Sequence, residues 1–258
     1  MKYHDPLILT LLQTDPLWQD PATNRRRLTE QLAFLAGRTN LIILPEMFTT
    51  GFSMEAKQLA EPHNGTTVKW MHNQAQKLGA ALCGSIIVAD GEHHYNRLYW
   101  VEPGGRTLHY DKRYLFTPGG EHEHYSAGTE RLVVDYRGWK ICPLICYDLR
   151  FPEWSRNNAT DPFDLLIYVA SWPETRARDW RTLLAARSIE NQCYVAAVNR
   201  VGEDGNGLRY RGDSCVIDPG PRGVLASLNG VATTLTLTIE REGVVELRRR
   251  LPFLVDRK

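Results

Sequence analysis

The sequence predicts an α/β fold in which mixed β-sheets are covered by helices. Short apolar segments with the length of buried strands recur along the 258 residues. Segments in which apolar side chains recur at helical spacing separate several of them, as at 24–38 and 178–192. Each amphipathic helix must bury its apolar stripe on a sheet face. Because we find no linker, repeat or low-complexity segment, we expect a single domain over residues 1–258.

The first half of the chain alternates strands and helices and then continues as a run of strands. The patterns predict strands at 7–13, 41–44, 81–89, 95–101 and 107–115, and helices at 24–38 and 66–78. Gly79 is expected to end the second helix. Residues 116–130 show little periodicity and are interpreted as a loop, and a loop of this length in a compact domain is usually functional.

The second half repeats the alternation and ends in extended chain. The patterns predict strands at 132–136, 139–145, 164–170 and 194–199, a short helix after residue 146 that runs through residue 154, and a helix at 178–192. From Arg211 onward we expect hairpins, with turns at Asp218–Pro221 and at Glu242–Gly243.

Composition excludes several classes of protein. Charged residues make up 24% and hydrophobic residues 43% of the chain, as in ordinary globular proteins. A net charge of +1 gives no reason to expect a nucleic acid or an acidic lipid as partner. The seven tryptophans are dispersed and have no basic stripe beside them, which favours packing over base stacking.

The cysteines and the apolar segments indicate a cytoplasmic protein. Five cysteines without a CxxC pair argue against both a disulfide framework and a zinc ribbon. The apolar segment Pro6–Leu12 is short and makes a poor signal peptide. No apolar stretch approaches the length of a membrane span, so we expect no membrane association.

The stretch Leu144–Pro152 brings a cysteine to the point where an apolar run turns polar, and we interpret Cys146 as a nucleophile. Asp148 and Pro152 after it are typical of helix starts. A strand-to-helix elbow would hold the thiol beside backbone N–H groups, where the pKa of a cysteine can fall. The alternative is a buried cysteine that packs as a small hydrophobic residue.

Two further reactive side chains lie just beyond or within predicted strands. Glu46 lies just beyond the strand that stops at Pro45, and Lys112 lies in the third strand of the run. A carboxylate can take the proton of a thiol, a thiolate can attack an acyl carbon, and an ammonium can stabilise the resulting oxyanion. Taken singly, Glu46 is more typical of a solvated loop residue, and Lys112 could be a strand-edge charge that discourages aggregation.

Three segments together resemble the signature motifs of the nitrilase superfamily of carbon-nitrogen hydrolases, and they stand in the right order. They are Leu44–Phe48 (LPEMF), Tyr110–Tyr114 (YDKRY) and Ile145–Phe151 (ICYDLRF), and the similarity continues through Ala185–Gln192 and Gly212–Ser214. The resemblance implies a four-layer αββα sandwich and a Glu-Lys-Cys triad at Glu46, Lys112 and Cys146. It also implies homodimers or larger assemblies, and no cofactor.

Members of that superfamily carry a second glutamate in the loop after the lysine. Glu121, seven residues before Gly128, fits this position, and Glu123 is the nearby alternative. The expected role is to hold Lys112 and to orient substrate or water. The same loop, Glu121–His124, could instead ligate a metal, but a short local run lacks the rigid ligand set of an enzymatic site, so we expect no metal.

Further motifs resemble bacterial omega-amidases, which deaminate the distal amide of 2-oxoglutaramate and 2-oxosuccinamate. They are Glu121–Tyr125, Cys146–Trp154, Val169–Pro173, Asn199–Gly202 and Tyr210–Asp213. Such substrates end in a carboxylate, which a cation in a compact aromatic pocket would suit. The candidate substrate-binding residues are Arg150, Trp172, Phe116 and Tyr147, and the backbone N–H of Tyr147 is the candidate oxyanion donor. For Arg150 a structural salt bridge, and for Trp172 a place in the core, are the alternatives.

Other functions remain open at this stage. The same triad serves nitrilases, N-carbamoyl amino acid amidohydrolases and amidases of deaminated glutathione. A catalytically silent binding module that keeps the fold is a further alternative, although it would have no chemical reason to retain Glu46, Lys112, Cys146 and Glu121 together.

Overall fold

The structure is a computed structural model that describes residues 6–257. These residues form fifteen strands, numbered in chain order: β1 (Leu7–Gln13), β2 (Leu41–Ile43), β3 (Glu61–Pro62), β4 (Ala81–Asp90), β5 (His93–Val101), β6 (Thr107–Asp111), β7 (Val134–Tyr136), β8 (Trp139–Ile145), β9 (Leu165–Ala170), β10 (Tyr194–Asn199), β11 (Val201–Glu203), β12 (Arg209–Arg211), β13 (Cys215–Ile217), β14 (Val224–Ser227) and β15 (Thr233–Ile239). The α-helices are α1 (Pro21–Leu32), α2 (Ala56–Leu59), α3 (Thr66–Leu78), α4 (Glu121–His124), α5 (Ala177–Asn191) and α6 (Arg241–Arg250).

The strands build two mixed sheets. The first has the order β15-β1-β2-β4-β5-β6, with β3 also paired to β4, and its neighbours β1, β2 and β4 run parallel. The second has the order β14-β13-β10-β9-β8-β7, with β8, β9 and β10 parallel. Strands β11 and β12 form a separate antiparallel hairpin.

The two sheets pack face to face, and helices cover their outer faces. One apolar cluster joins first-sheet residues such as Leu9 and Trp100 to second-sheet residues such as Ile167, and it extends to Leu184 of α5 and Val244 of α6. A second cluster packs α1 and α3 on the other face of the first sheet. The order of layers is therefore helix, sheet, sheet, helix, and the predicted αββα sandwich is confirmed.

Several element boundaries differ from the predictions. Helix α1 starts at Pro21 instead of residue 24, because the side chain of Asp20 accepts a hydrogen bond from the backbone N–H of Thr23 at 3.0 Å. After Leu32 the chain continues as a 3₁₀ turn only to Leu35. The expected loop 116–130 contains a 3₁₀ turn at Thr117–Gly119 and helix α4.

The predicted turn at Glu242–Gly243 is wrong, because both residues lie in helix α6. Val244 of that helix is fully buried, and Arg248 donates hydrogen bonds to the Asp164 carboxylate at 3.0 Å and to the Gln192 carbonyl at 2.9 Å. These contacts outweigh the roughly 1 kcal/mol that a glycine costs inside a helix. The turn at Asp218–Pro221 does connect an antiparallel pair, β13 and β14.

Two predicted elements near the candidate site are shorter than expected. Strand β6 ends at Asp111, not at residue 115, and the helix after β8 is a 3₁₀ segment, Cys146–Arg150, that stops at Phe151. Proline at 152 does not continue a helix well, which is a local reason for this stop. No helix among residues 6–257 is both long and apolar enough to cross a membrane.

Candidate active site

The ends of three strands bring the predicted reactive side chains together. Glu46 follows β2, Lys112 directly follows β6, and Cys146 directly follows β8. Strands β2 and β6 belong to the first sheet and β8 to the second, so the three side chains meet between the two sheets. Glu46 and Lys112 have no exposed surface, and Cys146 is 8% exposed.

Both carboxylate oxygens of Glu46 are held by neighbouring donors. Oε1 accepts hydrogen bonds from Lys112 Nζ and from Asn96 Nδ2, both at 2.8 Å. Oε2 accepts one from the backbone N–H of Ser171 at 2.8 Å. A buried carboxylate with three donors around it is fixed in position and satisfied as an anion.

Lys112 lies between two carboxylates. Its Nζ is 2.8 Å from Glu46 Oε1 and 3.0 and 2.9 Å from the two oxygens of Glu121. Burial by itself lowers the pKa of Lys112, but the charges of Glu121 and Glu46 outweigh it and raise this pKa above its ordinary value. The lysine is therefore an ammonium at neutral pH.

Of the two candidate glutamates, the structure brings Glu121 to Lys112 and leaves Glu123 exposed. Burial raises the pKa of the Glu121 carboxyl, while the nearby Lys112 opposes that rise. The backbone N–H of Phe116 also donates to Glu121 Oε2. Among residues 6–257 no group of three or more metal-ligating side chains is arranged to hold a metal ion.

Asn96 belongs to the same buried group as Glu46, Lys112 and Glu121, and the sequence analysis missed it. Its Nδ2 donates to Glu46 Oε1 at 2.8 Å and to Glu121 Oε1 at 3.1 Å, so one amide group bridges the two carboxylates. The residue is fully buried on β5, and within residues 6–257 its Oδ1 has no hydrogen-bond partner. A polar residue at an inward-facing position of a predicted strand is a signal that could have revealed it.

Cys146 sits in the left-handed region of the backbone map, with φ of +43°. Such a conformation is strained for a residue with a Cβ and is kept only where the surroundings enforce it. Asp148 enforces it here, because its carboxylate accepts hydrogen bonds from the backbone N–H of Ile145 and of Tyr114, each at 2.9 Å. The hydroxyl of Tyr110 also donates to Asp148 at 2.7 Å.

The expectation of a lowered thiol pKa is wrong. Burial and the charge of Glu46 raise the pKa of Cys146 well above its ordinary value, and the nearby Lys112 does not offset them. A thiolate in this site would stand beside a carboxylate in a poorly solvated space. The resting side chain of Cys146 is therefore a neutral thiol, which would need a base to become a nucleophile.

A pocket of about 170 Å³ opens above the thiol. Its wall includes the four residues predicted to contact substrate, which are Phe116, Tyr147, Arg150 and Trp172. The rings of Phe116 and Tyr147 meet edge to face with centroids 5.1 Å apart. Trp172 is only 3% exposed and also belongs to the apolar core. This residue therefore lies both in the pocket wall and in the core.

Arg150 forms a salt bridge and also lines the pocket. Its Nη2 lies 2.8 Å from the Asp179 carboxylate, and its guanidinium lies 4.9 Å from the ring centroid of Trp172 while it lines the pocket. The pocket wall also contains a second arginine, Arg176, which the sequence analysis missed. The β11–β12 hairpin adds Asp204, Asn206, Leu208 and Tyr210. No sequence pattern distinguishes Arg176 from its neighbour Arg178.

Comparisons with known proteins agree over almost the whole chain. The sequence profile of the carbon-nitrogen hydrolase family matches residues 9–249. The omega-amidase YafV of Escherichia coli strain K12 is 46% identical over 97% of this chain and 96% of its own length. The 2-oxoglutaramate amidase of Bacillus subtilis strain 168 is 33% identical over 96% of each chain.

A solved structure agrees at the level of the fold and of the family. The crystal structure of XC1258 from Xanthomonas campestris, a CN-hydrolase superfamily protein with an arsenic adduct in its active site, superposes with a TM-score of 0.96. The two chains are 46% identical, and the match covers 98% of each. The motifs, the layer order and these full-length matches agree, and the chain therefore belongs to the carbon-nitrogen hydrolase family.

Proposed function

We propose that this chain is an omega-amidase, which hydrolyses the distal amide of short dicarboxylic acid monoamides such as 2-oxoglutaramate and 2-oxosuccinamate to the acid and ammonia. The observation that carries the proposal is the buried cluster of Glu46, Lys112 and Glu121 beside Cys146, below a small pocket whose wall contains arginines. The names of the omega-amidase and 2-oxoglutaramate amidase relatives support the same substrate class.

The first half of the reaction forms a thioester. Glu46 accepts the thiol proton as Cys146 Sγ attacks the carbonyl carbon of the amide. The oxygen becomes an oxyanion, which Lys112 and the backbone N–H of Tyr147 stabilise. When the C–N bond breaks, Glu46 returns the proton to the departing nitrogen, and ammonia leaves.

The second half hydrolyses the thioester. Glu46 accepts a proton from water as the water oxygen attacks the thioester carbonyl carbon. The C–S bond breaks, the sulfur regains its proton from Glu46, and the acid product is released. Glu121 holds Lys112 in place through both halves, which its two hydrogen bonds to Nζ support.

The pocket supports a short substrate. Its volume of about 170 Å³ is below the roughly 300–1,000 Å³ of sites that hold drug-sized ligands. Phe116 and Trp172 supply apolar walls for the methylene chain, and Arg150 and Arg176 both bring positive charge to the wall, which suits an acidic end group.

We also propose that the protein is a homodimer. Four exposed apolar side chains lie on or near the outer helices of the second sheet, and they are Ile189, Val245, Phe253 and Val255. The hydrogen bond from Gln192 Nε2 to the Leu251 carbonyl, 2.8 Å long, ties the end of α5 to the C-terminal segment that carries two of them. Light scattering of the wild type and of Ile189→Glu/Phe253→Glu tests this, since the variant should be monomeric.

A substrate panel tests the proposed activity. Ammonia release is measured with 2-oxoglutaramate, succinamate, a simple nitrile and an N-carbamoyl amino acid, for the wild type and for Cys146→Ala. Cys215→Ala is the matched control, because this cysteine is also buried but lies outside the pocket.

The expected result is ammonia from the short omega-amides, lost in Cys146→Ala and kept in Cys215→Ala. Turnover of only the nitrile or the carbamoyl substrate would assign a different activity to the same cluster. Substantial omega-amide turnover by Cys146→Ala would refute the thioester mechanism.

A further inference from the structure

The pocket wall contains two arginines whose environments differ. Arg150 is paired, with its Nη2 2.8 Å from Asp179 Oδ2. Arg176 lines the same pocket, and no carboxylate of residues 6–257 lies within salt-bridge distance of its guanidinium. A partly exposed guanidinium without an acidic partner keeps its N–H groups available for a ligand carboxylate.

Local structure holds Arg176 at the wall. The residue ends the 3₁₀ turn Glu174–Arg176, where its N–H donates to the carbonyl of Pro173 at 3.0 Å. Its own carbonyl accepts a hydrogen bond from Trp172 Nε1 at 2.9 Å. The backbone from which the guanidinium extends is therefore fixed to another wall residue of the pocket.

A pair of aromatic contacts connects Arg176 to the nucleophile. Its guanidinium carbon lies 5.2 Å from the ring centroid of Phe116, and that ring packs edge to face on Tyr147, which directly follows Cys146. Stacking on a ring leaves the N–H edge of a guanidinium free to donate two parallel hydrogen bonds to a carboxylate.

The other charged groups at the pocket are already engaged. Asp204 accepts hydrogen bonds from the Tyr210 hydroxyl at 2.7 Å and from the backbone N–H groups of Asn206 and Leu208 at 2.9 and 3.0 Å. Lys112 is enclosed by its two glutamates. Arg176 is thus the pocket cation that the described residues leave without a neutralising acid.

We infer that Arg176 binds the carboxylate at the far end of the substrate and so determines the preference for acid-ended amides. This inference rests on the proposed function, because it names the residue that recognises the second end of the omega-amide. Arg150, held by Asp179, then forms the wall beside Trp172.

The test compares two substrates of equal size, succinamate and its uncharged analogue succinamide. In Arg176→Gln the ratio of kcat/KM for succinamate to that for succinamide should fall about 10- to 100-fold, mainly through a higher KM for succinamate. Arg178→Gln removes the same charge from an exposed neighbour outside the pocket and should leave the ratio unchanged.

A binding measurement separates this inference from the proposed activity. Succinate is titrated calorimetrically into Cys146→Ala and into Cys146→Ala/Arg176→Gln, and its affinity should fall at least about tenfold in the double variant. If the wild type does not turn over succinamate, the proposed function fails while this titration still decides the role of Arg176.

Two results would overturn the inference. One is an unchanged succinate affinity or an unchanged substrate ratio in the Arg176 variants. The other is a selective loss for succinamate in Arg150→Gln that Arg176→Gln does not show, which would assign the carboxylate to the other arginine.

Discussion

Replacing Asn96 by alanine should slow catalysis, because Asn96 positions the carboxylate of Glu46. The amide group of Asn96 donates two hydrogen bonds to buried carboxylates, at 2.8 Å to Glu46 and at 3.1 Å to Glu121. Hydrogen bonds to charged groups contribute about 1.5–3 kcal/mol each. Lys112 donates to the same oxygens, Glu46 Oε1 and Glu121 Oε1. We therefore take the lower energy, about 1.5 kcal/mol, for each hydrogen bond from Asn96, which gives about 3 kcal/mol for the two. That corresponds to a loss of about a hundredfold in kcat/KM.

The pH profile distinguishes positioning from a general loss of stability. Both hydrogen bonds from Asn96 favour the ionised carboxylates, so their removal raises the pKa of Glu121 beyond the rise that burial already causes. The acid limb of the kcat/KM profile should therefore move upward by about one pH unit, since 1.4 kcal/mol corresponds to one unit.

The assay is ammonia release from succinamate between pH 5 and 9, with the folded state checked by circular dichroism. Asn157→Ala is the matched control, because Asn157 is 2% exposed and bonds to Phe163 and Asn191 away from the site. Asn157→Ala should have a lower free energy of unfolding, but the acid limb of its kcat/KM profile should not move. A folded Asn96→Ala enzyme with an unshifted limb and kcat/KM within twofold of the wild type would refute the reasoning.

Three further predictions follow from the same contacts. Iodoacetamide should label Cys146 alone under native conditions, because its thiol lines the pocket. Labelling should be slow at pH 7 and faster toward pH 9, because the pKa of this thiol is raised. Equal labelling of another cysteine, detected by mass spectrometry, would contradict this. Burial raises the pKa of Asp148 from 3.8 to about 6, so its contribution to stability is fully present below pH 4 and is lost as the pH rises through 6. The difference in unfolding free energy between wild type and Asp148→Asn should shrink by about 3 kcal/mol between pH 4 and 7 in urea titrations, and a constant difference would count against this. Gly84→Ala should lower the free energy of unfolding by about 1–3 kcal/mol and reduce kcat, because the added Cβ would stand 2.8 Å from Leu44 Cβ, close to Glu46 in the chain. Gly104→Ala is the control for the urea titration and for the activity assay, because a Cβ there meets nothing within 4 Å.

The sequence placed Glu46 and Cys146 just beyond buried strands, and the structure has them there. It placed Lys112 inside a strand, whereas β6 ends at Asp111 and Lys112 directly follows it. Their meeting was predicted only through the family resemblance, because Cys146 belongs to one sheet and the other two residues to the other. The packing of two sheets depends on residues far apart in sequence, which no local pattern reports.

Long-range packing also explains what the sequence analysis got wrong. Gly243 is typical of a turn, yet α6 passes through it because Val244 and Arg248 gain contacts with the second sheet and its loops. The helix start beside Cys146 suggested a lowered pKa, but desolvation and the charge of Glu46 dominate once the site is enclosed. Both errors arise where burial, which depends on the whole fold, outweighs a local preference.

The β11–β12 hairpin belongs to neither sheet, yet it supplies Asp204, Asn206, Leu208 and Tyr210 to the pocket. Its base is anchored by the hydrogen bond from the Val201 N–H to the Thr14 carbonyl, 2.9 Å long. Part of the pocket wall therefore lies on a hairpin outside both sheets, whereas Glu46, Lys112 and Cys146 lie at the ends of sheet strands. Substitutions at the tip of this hairpin should change which acyl groups the pocket accepts, without displacing Cys146 or Glu46.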